Sequence, residues 1–127
     1  MNILISNDDG IHAEGLCVLK KSLISLGHNV FTVAPQTNQS ATSHSLTLTQ
    51  PLRIYKRGRN EWEITGTPTD CVLIATHGLL HERIDTVFSG INHGPNMGED
   101  VLYSGTVAAA MEGVMMGIPS VAISMAS

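Results

Sequence analysis

The sequence predicts an α/β fold: a mainly parallel sheet with helices on both faces and an inserted β-hairpin. Three observations predict it. Short apolar runs alternate with helix-periodic segments along the chain, the pattern of strands joined by crossover helices. Three of the apolar runs open into long polar loops, which such a sheet gathers at the carboxyl ends of its strands, the edge where ligands bind. One stretch, residues 46–64, breaks the alternation with a strand-like pattern around the turn sequence Arg57-Gly58-Arg59-Asn60.

Each element follows from local signals. Residues 3–6 are a short apolar run that ends in Asn7-Asp8-Asp9-Gly10, a buried strand entering a polar loop. Residues 15–26 place Leu16, Leu19, Leu23 and Leu26 at helical spacing with Lys20 and Lys21 between them, and Gly27 is a natural stop. Residues 30–34 form a second strand closed by Pro35, and residues 36–45 are a long polar loop. In the hairpin, Leu46, Leu48, Leu52, Ile54 and Tyr55 punctuate polar residues, and Glu61-Trp62-Glu63-Ile64 alternates. Thr67-Pro68-Thr69-Asp70 starts a helix: Thr67 can cap, Pro68 suits the first helical position, and Asp70 can bond back as a capping-box residue. That helix should run to about Leu80. Residues 84–88 read as another strand, 89–103 as a Gly- and Asn-rich loop, 104–117 as an Ala- and Met-rich helix, and 119–125 as a last strand. No internal repeat or low-complexity tract interrupts the series.

A chain of 127 residues suits one domain with a real core. Its 43% hydrophobic and 14% charged residues argue against disorder, and a net charge of -4 argues against bulk attraction to a nucleic acid polymer. Four of the seven Lys and Arg residues are Arg53, Lys56, Arg57 and Arg59, a cluster that reads as the solvated face of an edge hairpin. Cys17 and Cys71 form neither a disulfide framework nor a Cys-x-x-Cys metal pair, so a reduced, cytoplasmic setting is expected. The N-terminus has no basic region ahead of its apolar run, and no apolar run approaches the ~18 residues that span a bilayer, so a soluble protein with no membrane partner is expected.

The residues able to do chemistry fall in the polar loops. Asp8 and Asp9, adjacent carboxylates after the first strand, repel each other unless a divalent cation or full solvation relieves them. A cation site and a solvated turn are both open on these residues alone. The loop around Ser40 supplies hydroxyls. Ser89-Gly90-Ile91-Asn92-His93-Gly94-Pro95-Asn96 lets backbone approach a ligand and offers neutral amides. Ser104-Gly105-Thr106 opens a helix whose N–H groups and dipole favour a phosphate, or is a plain cap. His12, beside the acidic pair, is either a phosphate or proton partner or an ordinary loop histidine.

Taken together, these motifs resemble the SurE family of survival proteins. The resemblance is carried by Ser6-Asn7-Asp8-Asp9-Gly10, by Val33-Ala34-Pro35 with Asn38 and Ser40, and by Gly66-Thr67-Pro68-Thr69-Asp70-Cys71-Val72. It is carried also by Ser89-Gly90-Ile91-Asn92 with Gly94-Pro95-Asn96, and by the run from Tyr103 to Glu112. Five ordered motifs span the chain. The resemblance implies a Rossmann-like three-layer fold and a metal-dependent phosphomonoesterase acting on nucleoside 5′- and 3′-monophosphates. It implies that Mg²⁺ or Mn²⁺ is held by Asp8, Asp9, Ser40 and Asn92, with Asp8 and Asp9 also catalytic, and that Asn96, Ser104, Gly105 and Thr106 line the phosphate pocket. Two features depart from the family. Glu14 stands where proline is usual, and family members are longer, with a C-terminal part that builds a dimer or higher oligomer. Residues 1–127 are therefore expected to be the phosphatase core without that part.

Two rivals remain. A receiver domain shares the acidic pair and the parallel sheet, but it needs an acceptor Asp after the third strand and a late Lys. Here Ser89-Gly90 follows Phe88, and no Lys occurs after Lys56. The other rival is a catalytically incomplete fragment that binds metal and nucleotide without turnover.

Overall fold

The computed structural model describes residues 1–36, 51–93 and 105–125. Its elements are β1 (Asn2–Ser6), α1 (Glu14–Ser25), β2 (Asn29–Pro35), β3 (Ile54–Gly58), β4 (Glu61–Ile64), α2 (Pro68–Ile74), β5 (Thr86–His93), α3 (Gly105–Met115) and β6 (Ser120–Met125). The six strands form one sheet in the order β3-β4-β2-β1-β5-β6. Every pairing is parallel except that of β3 with β4. The fold is α/β, as the alternation of elements predicts.

The period-two geometry of β1 sorts its side chains into two cores. Ile3 and Ile5 pack with Leu16, Leu19 and Leu23 of α1. Leu4 points the other way, into a cluster with Phe31, Val33, Ile64, Cys71, Val72, Val87 and Ala109, the last from α3. Helix α1 thus covers one face while α2 and α3 cover the other, which makes three layers. Helix α1 stops where the Leu pattern runs out, and Gly27 takes the left-handed backbone (φ 90°) that follows a helix end at low cost.

Helix α2 begins with the capping box expected from Thr67 and Asp70. The Asp70 N–H donates to Thr67 Oγ1 at 3.1 Å, and the Thr67 N–H donates to Asp70 Oδ2 at 2.8 Å. Its far end is wider than an α-helix: Ala75–Leu79 form a π-turn, closed by the Leu80 N–H donating to the Ala75 carbonyl at 3.2 Å.

The expected hairpin is present as β3 and β4, and β4 pairs in parallel with β2, Thr32 to Pro35 against Glu61 to Ile64, so it extends the main sheet and leaves β3 as the antiparallel edge. Residues 46–50 of the expected hairpin lie outside the described residues. One expectation needs correcting. The loop expected from residue 89 is strand as far as His93. After Ser89, β1 has ended and β5 continues on β6 alone, with a register shift between Ser89 and Asn92. Gly90 makes this possible. Its φ is 139°, and a Cβ there would overlap the Ile123 carbonyl oxygen of β6.

Candidate active site

The two central parallel strands, β1 and β5, end side by side, with Ser6 in register with Ser89. Just beyond β1 the chain enters the loop that carries Asp8 and Asp9. Asn7 shapes this loop from inside: its Nδ2 donates to the Gly10 carbonyl at 2.7 Å, and its Oδ1 accepts from the Gly10 N–H at 3.2 Å. This amide clamp closes a turn in which Gly10 takes φ 110°. The Ile11 N–H then donates to the Pro35 carbonyl at 3.2 Å, which ties the loop to the end of β2.

The result is a pair of carboxylates at the carboxyl edge of the sheet. Asp8 is only 3% exposed and Asp9 is half-buried. Ser6, Asn7 and Ser89 are fully enclosed beside them, and Ser89 Oγ has no hydrogen-bond partner among the described residues. Gly15 lets the first turn of α1 close on this edge, because any Cβ there would overlap the Ile91 carbonyl oxygen. Behind the site, the Cys71 thiol lies next to Ser6. Burial, and secondarily the negative charge of Asp70, push its pKa far up, so Cys71 is a neutral packing group.

Of the expected site residues, Asp8 and Asp9 are brought to the edge as predicted. Asn92 lies on β5, opposite Ser124 of β6, instead of in a loop. Gly105 and Thr106 form the first turn of α3, and Thr106 is buried. Because α3 follows β5 in a parallel crossover, its N-terminus belongs to the same sheet edge as the carboxylates. Ser40, Asn96 and Ser104 lie outside the described residues. His12 is exposed. Sequence reasoning missed the clamp made by Asn7, although Asn-x-x-Gly carries the signal for it. It also missed the enclosed Ser6 and Ser89 hydroxyls, for which no local signal exists.

The donor chemistry suits a hard divalent cation: two carboxylates with neutral oxygen groups nearby, and no thiol or imidazole set among the described residues. No group of three His, Cys, Asp or Glu side chains that could hold a metal occurs among the described residues, so such an ion would draw on neutral oxygens and water as well. A cavity of about 530 Å³ lies at the opposite edge, near Thr76, Asp85 and Pro119, away from this chemistry.

The layered sheet with an acidic pair at its carboxyl edge defines a Rossmann-like α/β domain. The family model described as Survival protein SurE matches residues 3–127. The chain is 63% identical over 126 residues to the 5′-nucleotidase SurE of Gemmatimonas aurantiaca, covering 99% of this chain and 50% of that protein. It is 53% identical over 133 residues to the 5′-nucleotidase SurE of Prochlorococcus marinus subsp. pastoris, covering 100% of this chain and 49% of that protein. The crystal structure of the SurE protein from Aquifex aeolicus superposes with a TM-score of 0.93 at 46% identity, over 100% of this chain and 52% of that one. The chain belongs to the SurE family, and it spans about half the length of the curated relatives it matches.

Proposed function

We propose that these residues form the core of a divalent-metal-dependent phosphomonoesterase that hydrolyses nucleoside 5′- and 3′-monophosphates. One observation carries the reading: the pair of buried Asp8 and half-buried Asp9 at the carboxyl end of β1, in a chain whose relatives bear the name 5′-nucleotidase SurE. Asp8 and Asp9, with Ser40 and Asn92, would hold Mg²⁺ or Mn²⁺, which supplies Lewis acidity toward the phosphoryl oxygens. The N–H groups at Ser104, Gly105 and Thr106, with the Asn96 amide, bind and orient the transferring phosphoryl group. One of the two carboxylates takes the proton of a water that attacks phosphorus, or attacks it directly to give an acyl phosphate that water then hydrolyses; either way the P–O bond to the nucleoside breaks and the nucleoside oxygen leaves as a hydroxyl. Enclosure of Asp8 keeps bulk water from competing with these contacts. The dimer or higher oligomer expected of the full-length protein belongs to the part beyond these residues, and its setting in this reading is the cytoplasm.

The test is phosphate release from 5′- and 3′-nucleoside monophosphates by the full-length protein, with Mn²⁺ or Mg²⁺ and with a chelator. Turnover that survives full chelation would overturn the metal, and no turnover with any nucleotide would overturn the substrate class. The half-length match supports a second reading for residues 1–127 alone: they bind metal and nucleotide without turnover. The same assay on the 127-residue polypeptide separates the two.

A further inference from the structure

The basic cluster on the hairpin is not a uniformly solvated face. Strand pairing puts Tyr55 opposite Glu63 and Lys56 opposite Trp62. Trp62 and Ile64 pack toward α2, so Tyr55, Arg57 and Glu63 occupy the α1 side of the sheet. There the Arg57 guanidinium bonds to buried Glu63 at 2.7 Å and lies over the Tyr55 ring at 4.8 Å. On the other side, Lys56 sits 5.7 Å from the centre of the Trp62 ring.

Arg53 is engaged differently. Its main chain is fixed, with its N–H donating to Thr65 Oγ1 at 2.8 Å and its carbonyl accepting from the Thr65 N–H at 3.0 Å. Its exposed side chain borders an open cavity of about 400 Å³, formed with Gln36, Pro51, Tyr55 and Thr65. Gln36 directly follows β2, and its N–H donates to the Ile64 carbonyl at 3.0 Å, so the cavity stands on the carboxyl edge of the sheet. The acid-pair loop leaves that same edge toward α1 and is tied to Pro35, the residue before Gln36. From β1 to β3 is three strand spacings, roughly 14 Å at about 4.8 Å each, and Gln36 stands one spacing from β1. A phosphate held at the acid pair therefore has its ester substituent within reach of this cavity.

We infer that the cavity formed by Gln36, Pro51, Arg53, Tyr55 and Thr65 is the subsite for the nucleobase, with Arg53 and Tyr55 as specificity-determining residues. The chemistry matches a base. An aromatic ring and a guanidinium plane offer stacking surfaces, and the Gln36 amide and Thr65 hydroxyl offer hydrogen bonds to a heterocycle edge. The inference rests on the nucleotide-phosphatase reading of the acid pair.

The experiment measures, in the full-length protein, KM for a nucleoside 5′-monophosphate and Ki for inorganic phosphate as competing product. Wild type, Arg53→Ala and Arg59→Ala are compared. Arg59 lies at the far end of the same hairpin, on the opposite edge, so it controls for loss of charge alone. Loss of one stacking contact is expected to raise the ratio of KM to Ki about tenfold in Arg53→Ala and to leave it within about twofold in Arg59→Ala. An unchanged ratio in Arg53→Ala, or an equal rise in both variants, overturns the subsite. If the wild type turns over no nucleotide, the phosphatase reading fails by itself. Equilibrium binding of nucleoside monophosphate against inorganic phosphate then decides the subsite by the same ratio, and a wild type that binds no nucleotide overturns both.

Discussion

At the scale of single residues, the site is built by neighbours that do no chemistry themselves. Asn7 spends its amide on both backbone groups of Gly10 and so aims Asp8 and Asp9 without joining them. Changing Asp8 or Asp9 to Asn preserves shape but removes the anionic charge that, in the proposed reading, would hold a divalent ion, so metal-dependent turnover should fall at least ~100-fold while the fold persists. Phosphate-release rates beside a circular dichroism melt check this, and full activity of both variants under limiting metal would sink the assignment. Cys71 gives a second residue-scale prediction. Its raised pKa means that the folded state keeps the thiol protonated where the unfolded chain ionises. Its contribution to stability is therefore complete below the unfolded value, about 8.5, and is lost as pH rises above it. A thiol reagent should label half-buried Cys17 in the native protein and reach Cys71 only on unfolding. Equal labelling rates would show that the interior behind Ser6 is open.

At the scale of elements, α2 has a start defined by two reciprocal hydrogen bonds and an end that loosens into a π-turn. Removing the cap by Thr67→Ala deletes the acceptor for the Asp70 N–H in a buried place, and it should destabilise the protein by about 1–2 kcal/mol. Urea unfolding of the variant, with an unchanged slope and a lower midpoint, is the expected result. A midpoint equal to wild type would mean that the box adds nothing beyond packing. The element expectations that succeeded rested on strong local signals: the Leu spacing of α1, Gly27 after it, and Thr-Pro-Thr-Asp ahead of α2. The one that failed, a loop from residue 89, rested on Gly90 and Asn92. Glycine there serves close strand contact with β6 as well as turning, and only the partner strand shows which.

At the scale of the whole molecule, apolar side chains remain uncovered. On α3, Val114 is 60% and Met115 80% exposed with Met111 beside them, and Val121 of edge strand β6 is 43% exposed. Uncovered apolar faces and unpaired strand edges favour association. Because the relatives are twice the length matched, the 127-residue polypeptide prepared alone should melt below the full-length protein. It should also self-associate through these uncovered faces. Sedimentation velocity and thermal melts of both forms test this. A short form with the full-length protein's melting temperature and oligomeric state would show that these residues suffice.

The sequence by itself determined the layer architecture, the strand and helix order, the capping of α2 and the carboxylate pair at the end of β1. Each of these is written in a local period or in a few adjacent residues whose preferences agree. Tertiary structure alone decided that the hairpin continues the main sheet, since β4 finds β2 across many residues of intervening chain. It also decided why Gly15 and Gly90 must be glycine, since the atoms they make room for belong to Ile91 and Ile123, distant in sequence. Likewise it decided that Arg57 is held by Glu63 while Arg53 borders a cavity. Close approach and strand neighbourhood are relations between segments, and for Gly15 and Gly90 no short window of sequence contains both partners.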